Sequence, residues 1–439
     1  MPPRGARNWR CGDRWRVGDV TPGSGCNLVA RACGEAISAC EGDDGLGGRG
    51  TRWECSLEVE LIKFMGSKRS LLLNGLGDVI EEESRAGERV VDLFCGSAAV
   101  SWFAAAELGR EVLACDLQQF AVVLARAVLA RNRPLESLIF ERGWLEEARA
   151  WRREHAAWAD AAQLERRRGK DSAWHRRAQR LCQSWKEDDE LLVTSRYGGH
   201  YFSPMQALSL DAMLAVLPEA PEARDVCLAS AIVAASRCAA APGHTAQPFK
   251  ATETASKYLL EAWSRDAFQA ATVALRRIAP LSVKRRGTTV VGDANEIAGC
   301  LRATDVAFVD PPYSAVQYSR FYHVLETVAR GWCGEVRGTG RYPSREERPR
   351  SLYSQRTKSR AAISELLMRL SQRGCKVVLT FPLGECSNGV SGEWIEDTAR
   401  EFFHVLRRTA KSSFSTLGGN ATIRAARKEA REMILVLRA

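Results

Sequence analysis

A short apolar run followed at once by two prolines is the feature that most limits what this chain can fold into. Residues 306–309 read Val-Ala-Phe-Val, and Asp310, Pro311, Pro312 and Tyr313 follow directly. Such a run is typical of a fully buried strand, and the prolines end it because proline cannot donate to a ladder of backbone hydrogen bonds. Ligands bind outside the carboxyl ends of the strands in open α/β sheets. The pattern therefore predicts a carboxylate and a phenol at a ligand-binding edge.

The residue types in this turn suit the binding of a flat ring that carries an amino group. A carboxylate and a rigid carbonyl group can accept the two N–H bonds of the amine, and an aromatic side chain can stack on the ring. A turn that merely ends a strand is the alternative, because Asp and Pro are ordinary turn residues.

Two further strands are predicted upstream. Residues 90–101 read as an apolar strand that runs through a small-residue turn into a helix, and residues 112–116 read as a strand that ends in Asp116. Small residues in such a turn let a nucleoside approach the backbone, and an acid at the next strand end often binds ribose hydroxyl groups. The turn holds one glycine, followed by Ser97-Ala98-Ala99, where a dinucleotide site would read G-x-G-x-x-G. A nucleoside cofactor without phosphate, most commonly S-adenosylmethionine, therefore fits better.

Three motifs in this order resemble those of the D12-class (Dam-like) N6-adenine DNA methyltransferases. They lie at residues 64–72, 92–101 and 310–313. Residues 308–326 and 415–420 extend the similarity, which covers roughly residues 61–439 with a loosely matching middle third. The resemblance implies an α/β fold, a Rossmann-like S-adenosylmethionine-dependent methyltransferase sheet with a largely helical insert domain. The final strand of that sheet is reversed, and residues 402–414 and 432–437 are expected to form an antiparallel pair.

One position departs from the family pattern. Where the family usually reads Phe-Cys-Gly-Ser-Gly, this chain has Ala98 in the place of the last glycine. If that residue needs a positive φ or very close approach of the cofactor, the methyl group costs on the order of 1 kcal/mol or more. A lower affinity for the cofactor is the expected consequence.

The resemblance implies that the protein transfers a methyl group from S-adenosylmethionine to the exocyclic N6 of an adenine flipped out of duplex DNA at a specific site. The lone pair of this amine is delocalised into the ring. Hydrogen bonds accepted by Asp310 and by the Pro311 carbonyl would localise it, while Tyr313 stacks on the base. The predicted catalytic residues are Asp310, Pro311, Pro312 and Tyr313.

For the cofactor, the resemblance implies that Gly66 and Lys68 contact the methionine end and that Asp116 binds the ribose. The full set of predicted cofactor residues is Phe64, Gly66, Lys68, Asp92, Phe94, Gly96, Asp116, Leu117 and Asp293. Asp293 ends an apolar run of its own and would contact the adenine of the cofactor. A plain strand-end acid explains Asp293 equally well.

Four regions are predicted along the chain. Residues 1–60 are rich in Gly and Arg and read as a low-complexity or disordered extension. A short appended module or a start codon called too early would also explain them. Residues 61–134 are assigned to the cofactor-binding part of the methyltransferase domain, residues 135–285 to an inserted target-recognition domain, and residues 286–439 to the catalytic part.

Positive charge points to a nucleic-acid partner. The chain has a formal net charge of +10, and basic residues crowd the segment from Gly334 to Arg360, called the basic segment below. Contact with DNA phosphates is the functional interpretation, and a mobile solvated loop is the alternative. The charged residues 144–190 likewise predict either a phosphate-contacting surface or a solvated helical hairpin. The predicted DNA-binding residues are Arg196, Tyr197, His244, Tyr318, Arg320, Arg356, Lys358 and Arg360.

The composition argues against several other classes of protein. The 14 cysteines include no C-x-x-C pair and the 6 histidines are scattered, so neither a metal site nor a disulfide framework is predicted. No apolar stretch is long enough to span a membrane. A cytoplasmic location in a prokaryotic cell, associated with the nucleoid, is expected. Double-stranded DNA is the predicted partner, and a cognate restriction endonuclease acting separately is a further candidate.

Two other functions stay open on the sequence. An Asp-Pro-Pro-aromatic turn could serve any planar amine, so the substrate could be cytosine N4 or RNA, although the long insert and the basic segment suit duplex DNA better. A catalytically silent DNA-binding relative is the other alternative, for which Ala98 is the one hint. The DNA target sequence does not follow from any of these patterns.

Overall fold

The computed structural model of the protein describes residues 62, 64, 66–85, 88–167, 172–252, 254–413 and 429–439. All of them belong to one unit, Thr51–Ala439. The expectation for residues 1–60 and the motif at residues 415–420 lie outside the described residues.

Seven strands form one mostly parallel sheet. The strands are β1 (Arg89–Asp92), β2 (Glu111–Asp116), β3 (Thr288–Val291), β4 (Val306–Val309), β5 (Lys376–Pro382), β6 (His404–Ser413) and β7 (Glu429–Arg438). Their order in the sheet is β3-β2-β1-β4-β5-β7-β6. Strands β1 to β5 are mutually parallel, and β7 runs antiparallel to β5 and β6. The predicted α/β class and the antiparallel final pair are confirmed.

Helices account for most of the remaining described residues. They are α1 (Arg69–Leu71), α2 (Gly77–Glu83), α3 (Ala99–Trp102), α4 (Gln119–Leu129), α5 (Ser137–Phe140), α6 (Glu146–Glu154), α7 (Ala157–Arg166), α8 (Ser172–Ser184), α9 (Leu192–Tyr197), α10 (Pro204–Ala215), α11 (Pro221–Cys238), α12 (Ser256–Trp263), α13 (Ala267–Ile278), α14 (Ala294–Ala298), α15 (Tyr318–Phe321), α16 (His323–Arg330), α17 (Ser359–Gln372) and α18 (Gly392–Arg400). The π-helical segments Leu72–Leu76, Phe103–Glu107 and Glu141–Leu145 directly follow α1, α3 and α5. Among these described helices, none combines the length and apolar character needed to cross a bilayer.

Strand β4 shows why an unbroken apolar run becomes a central strand. All four of its residues are buried. Val306 and Phe308 pack in one apolar cluster, and Ala307 and Val309 pack in another, because successive side chains of a strand point to opposite faces of the sheet. Parallel sheets are covered on both faces, so their strands are apolar at almost every position. The apolar pattern thus places Asp310 at the end of a strand in the middle of the sheet.

Helices α5 to α13 follow one another between α4 and β3, and they pack against the sheet domain. Helix α11 packs on α13, α4 and α16. At the end of α4, the buried guanidinium of Arg131 donates hydrogen bonds to the carbonyl groups of Ala127, Ile278 and Ala279. Burial lowers the pKa of Arg131 to about 10. The carbonyl groups at a helix end carry partial negative charge, so this one side chain joins the carboxyl ends of α4 and α13.

Candidate active site

A cleft of about 660 Å³, counted with its open mouth, lies at the carboxyl ends of the neighbouring strands β1, β2 and β4. The predicted catalytic and cofactor-binding residues that line this cleft are Phe64, Gly66, Phe94, Gly96, Asp116, Leu117, Asp310, Pro311, Pro312 and Tyr313. Gln118, Gln317, Tyr318, Ser319, Pro349 and Ser351 complete the lining. Two groups of residues far apart in the sequence therefore share one cleft.

Asp310 is held by two side chains from separate parts of the chain. Its Oδ1 atom lies 2.9 Å from the Nζ atom of Lys68, which immediately precedes α1. The Oγ1 atom of Thr380 on β5 donates to the same oxygen at 3.0 Å. Lys68 Nζ also lies 2.6 Å from Oε1 of Glu432 on β7. Lys68 thus bridges two carboxylates, one in the cleft and one buried in the sheet.

The charges of this bridge are balanced by burial and by one another. Burial alone would lower the pKa of Lys68, but the adjacent carboxylates of Asp310 and Glu432 outweigh it and raise that pKa, so the ammonium form is retained. Burial raises the pKa of Asp310, while the ammonium group of Lys68 acts in the opposite direction. Asp310 is therefore a more basic carboxylate than a solvated one, and its orientation is fixed by two donors.

Two glycines let aromatic side chains close around the cleft. Gly66 has a φ of +79°, and a Cβ atom there would lie 2.9 Å from the hydroxyl oxygen of Tyr313. Gly96 has a φ of +47°, and a Cβ atom there would lie 2.7 Å from the ring of Phe64. A side chain at either position would collide with one of these rings, so the close packing of Tyr313 and Phe64 on the main chain requires glycine.

The acids at the ends of β1 and β2 are placed differently. Asp92 is buried outside the cleft lining, where it accepts a hydrogen bond from Ser101 Oγ at 2.6 Å, and burial raises its pKa to about 7. Asp116 lines the cleft and accepts hydrogen bonds from the backbone N–H groups of Gly96 at 3.0 Å and Gln118 at 2.9 Å. Burial raises the pKa of Asp116 to about 6. Asp116 therefore ties the two strand-end turns together beside the cleft.

Ala98 adopts the conformation for which glycine is preferred. Its φ is 63° and its ψ is 14°, in the left-handed region, and it is fully buried. A positive φ is the condition under which the methyl group of Ala98 is predicted to be unfavourable, and this condition is met, because an L-residue is strained in this region. The strain lies in the turn that follows β1, two residues beyond the cleft-lining Gly96.

The residues predicted to bind DNA fall into distinct environments. Tyr318 lines the cleft, and Arg320, Arg356, Lys358 and Arg360 are exposed. Arg196 is half-buried, and half-buried His244 lies with its ring 5.0 Å from that of Phe321. Tyr197 is fully buried with its hydroxyl group 2.8 Å from Oγ1 of Thr327, which gives it a core position. Among the predicted cofactor residues, Asp293 accepts a hydrogen bond from Asn295 N at the start of α14 and lies outside the cleft lining, as does Lys68.

Several side chains that support the site were not identified from the sequence. Glu432 is a buried acid that directly precedes the apolar run 433–437 of β7, and a buried acid requires a partner. Asn388 is fully buried and donates from Nδ2 to the carbonyl groups of Pro312 and Tyr353, which fixes the catalytic turn against the basic segment. Glu326 on α16 accepts hydrogen bonds from the N–H groups of Gln119 and Phe120 at the start of α4. No local pattern marks the last two.

Comparison with known proteins agrees with the resemblance. A curated relative, the modification methylase LlaI of Lactococcus lactis subsp. lactis, is 24% identical over 323 residues, which is 71% of this chain and 44% of the relative. The chain therefore spans less than half the length of that relative. Residues 64–154 match the family model of the D12 class N6 adenine-specific DNA methyltransferases, so the predicted resemblance to this family is confirmed.

Proposed function

We propose that the protein transfers a methyl group from S-adenosylmethionine to N6 of an adenine flipped out of duplex DNA at a specific site. The observation that carries this proposal is the shared cleft, in which the Asp310–Tyr313 turn faces Gly66, Gly96 and Asp116. The family match at residues 64–154 supports the same reaction. A Rossmann-like fold with residues 135–285 as a helical target-recognition domain belongs to this proposal, and the run of helices α5 to α13 supports it.

The residues of the cleft suit this cofactor. Phe64 and Phe94 offer apolar surface, Asp116 offers a carboxylate for hydroxyl groups, and Gly66 and Gly96 bring the main chain to the cleft lining. Lys68, which lies outside the cleft lining, is proposed to contact the methionine end of the cofactor. When bound, S-adenosylmethionine supplies an electrophilic methyl group on a sulfonium.

Asp310 and the Pro311 carbonyl would accept the two N–H bonds of the adenine amine, which localises the nitrogen lone pair toward the methyl group. Transfer forms an N–C bond and breaks an S–C bond, and the amine must lose one proton. The carboxylate of Asp310 is the proposed acceptor, because burial raises its pKa and Lys68 and Thr380 fix its position. Tyr313 would stack on the base. Most of the rate gain would come from positioning and preorganised charge.

DNA would approach the mouth of the cleft, where positive charge is exposed. Arg320, Arg356, Lys358 and Arg360 are proposed to contact phosphates, and Tyr318 the flipped nucleotide. Arg196 and His244 are proposed to contact DNA from the helical region, whereas the buried Tyr197 is left out of this set. The relative's name, a modification methylase, supports a role in restriction and modification. A separate cognate endonuclease and a location in the cytoplasm at the nucleoid belong to the same proposal.

The test is nucleoside mass spectrometry of unmethylated duplex DNA after incubation with the protein and S-adenosylmethionine. We expect N6-methyladenine, formed at a rate that falls by roughly 10²- to 10³-fold in Asp310→Asn because a preorganised acceptor is lost. Asp397→Asn, at an exposed position on α18, is the matched control and keeps the wild-type rate.

The other outcomes separate the alternatives. N4-methylcytosine would retain the mechanism and change the base. Absence of any methylated base, with cofactor binding demonstrated by calorimetry, would contradict the proposal and direct the search to RNA. Failure to bind S-adenosylmethionine would point to the strained turn at Ala98 and to a catalytically silent relative.

A further inference from the structure

Beside the cleft, two arginine side chains lie against one tyrosine ring. The guanidinium carbon of Arg320 is 4.8 Å from the centroid of the Tyr342 ring, and that of Arg348 is 5.3 Å from it. Contacts between a guanidinium group and an aromatic ring restrict the orientation of both. Two positive charges therefore pack on one aromatic ring.

The ring itself is fixed by the surrounding chain. The backbone N–H and carbonyl groups of Tyr342 both pair with those of Arg337, at 3.0 and 2.9 Å. The Tyr342 hydroxyl group donates to the carbonyl of Ala246, and its ring centroid lies 4.8 Å from that of the buried His323. The position of the ring on which both guanidinium groups pack is thus set by the fold.

Within the described residues, no carboxylate forms an ion pair with either guanidinium group. The neighbouring Arg330 and Arg337 do have such partners, Glu326 and Glu335. Arg348 Nε donates to the carbonyl of Ser344 at 3.4 Å. Burial and the nearby charge of Arg320 lower the pKa of Arg348. Like charges repel at this range, so the arrangement favours an anion that contacts both groups.

The pair lies at the rim of the cleft. Ser319 and Pro349 line the cleft, and each is the direct neighbour of one of the two arginines in the chain. Reciprocal hydrogen bonds between the Gln317 side chain and the backbone of Ser351, both 2.8 Å, hold these two stretches together. An anion bound between the arginines would therefore sit next to a nucleotide that enters the cleft.

We infer that Arg320, Tyr342 and Arg348 form a clamp for one phosphate group of the DNA backbone beside the flipped nucleotide. The inference rests on the proposed function, because it takes duplex DNA as the substrate. Guanidinium groups bind phosphate through paired N–H donors, and such contacts fix the register of DNA without reading its bases. The clamp holds the DNA backbone at one phosphate while the target nucleotide rotates into the cleft.

The experiment measures the dissociation constant of the full chain for a duplex DNA over a range of salt concentrations. Arg320→Gln, Arg348→Gln and the double variant are compared with Arg373→Gln. Arg373 is exposed and lies between α17 and the start of β5, at the opposite edge of the sheet. Loss of one phosphate contact lowers the slope of log Kd against log salt by about 0.9. We expect that change in each clamp variant, no larger change in the double variant, and no change in Arg373→Gln.

Three outcomes would overturn the clamp. Slopes equal to the wild-type slope would show that neither arginine meets a phosphate. A change in the double variant twice that of each single variant would show that the two arginines bind separate phosphates. Weaker binding of S-adenosylmethionine with unchanged slopes would assign the anion to the carboxylate of the cofactor. Thermal melting of each variant confirms that these surface substitutions leave the fold intact.

The result is separable from the proposed function because it is read from binding alone. If the wild-type protein methylates no DNA and the slopes still fall as expected, the clamp stands and the proposed reaction fails. If adenine is methylated and the slopes do not change, the reaction stands and the clamp fails.

Discussion

The charges at the back of the cleft and those at its rim are arranged in opposite ways. Lys68 is buried between Asp310 and Glu432, so its charge is matched within the protein. Arg320 and Arg348 share a tyrosine ring at the rim, and no described carboxylate forms an ion pair with either. A buried charge that is already paired holds its neighbours in one geometry, whereas exposed charges without partners are free to bind an incoming anion. The charges at the back of the cleft therefore fix the position of Asp310, and the charges at the rim are available to bind an anion.

Removing the cation from the buried bridge gives the largest expected effect. Lys68→Met leaves two buried carboxylates without their counter-charge, which is expected to lower the free energy of unfolding by about 3–5 kcal/mol. Urea unfolding at neutral pH measures this, with Lys358→Met at an exposed position as the control. A loss as small as that of the control would mean that Asp310 and Glu432 do not depend on Lys68.

Asp92 is a buried carboxylate that accepts a hydrogen bond from a hydroxyl group and forms no ion pair with a described cation, so its effect on stability should differ from that of the Lys68 bridge. Its pKa is raised to about 7 by burial, so the folded state binds its proton more tightly than the unfolded state. The charged form is thus unfavourable, and its cost builds up as the pH rises from about 4, the ordinary carboxyl pKa, to about 7, above which it is constant. We expect Asp92→Asn to gain stability relative to wild type by roughly 2–3 kcal/mol between pH 5 and pH 8.

Unfolding of both proteins in urea across this pH range provides the measurement. Asp397→Asn, exposed on α18, should differ from wild type by a constant amount at every pH. A constant difference for Asp92→Asn as well would show that Asp92 is ionised and well solvated or well paired in the folded protein.

Glu432 tests whether the second carboxylate of the bridge influences the reaction. The charge of Glu432 contributes to the raised pKa of Asp310, after the larger effect of burial. In the proposed reaction Asp310 accepts the amine proton and must therefore be ionised, so activity should fall as the pH falls through the pKa of Asp310, which burial raises above the usual carboxyl range. In Glu432→Gln the acidic limb of kcat/KM should move to lower pH. If the acidic limb of kcat/KM stays at the wild-type pH and the rate is lower at every pH, Glu432 has a purely structural role.

Ala98 gives the smallest expected effect. Ala98→Gly relieves the left-handed strain and is expected to raise the free energy of unfolding by about 1 kcal/mol, with tighter binding of S-adenosylmethionine. The matched control is Ala99→Gly in the first turn of α3, which should instead be destabilising by about 1 kcal/mol. Thermal unfolding and calorimetry measure both. Equal destabilisation by the two substitutions would contradict the assignment of strain to Ala98.

The sequence predicted the parts of the molecule that local patterns encode. The apolar run of β4 and its two prolines placed Asp310 at a strand end, and the turn after β1 was placed beside it because carboxyl ends of parallel strands meet at one edge. The strain at Ala98 was predicted on the condition of a positive φ, because the family resemblance places a glycine at this position and φ preferences are local. These predictions depend only on residues within a few positions of one another.

Pairings between distant segments could not be read in the same way. Lys68 and Glu432 are separated by 364 positions, and their contact follows from the order of β4, β5 and β7 in the sheet. Tyr197 follows a polar stretch that resembles a surface loop, yet the fold buries it against α16. The packing of Arg320 and Arg348 on the Tyr342 ring likewise forms only when the basic segment folds back on α15 and α16.

Glu326 joins the two halves of the cleft and has a consequence for how ligands bind. It lies on α16, the second helix after the Asp310–Tyr313 turn, and it caps the helix that follows Asp116 by accepting hydrogen bonds from the N–H groups of Gln119 and Phe120. A ligand that shifts one helix must therefore shift the other. Because binding linkage is reciprocal, any factor by which the cofactor changes the affinity for DNA is the factor by which DNA changes the affinity for the cofactor.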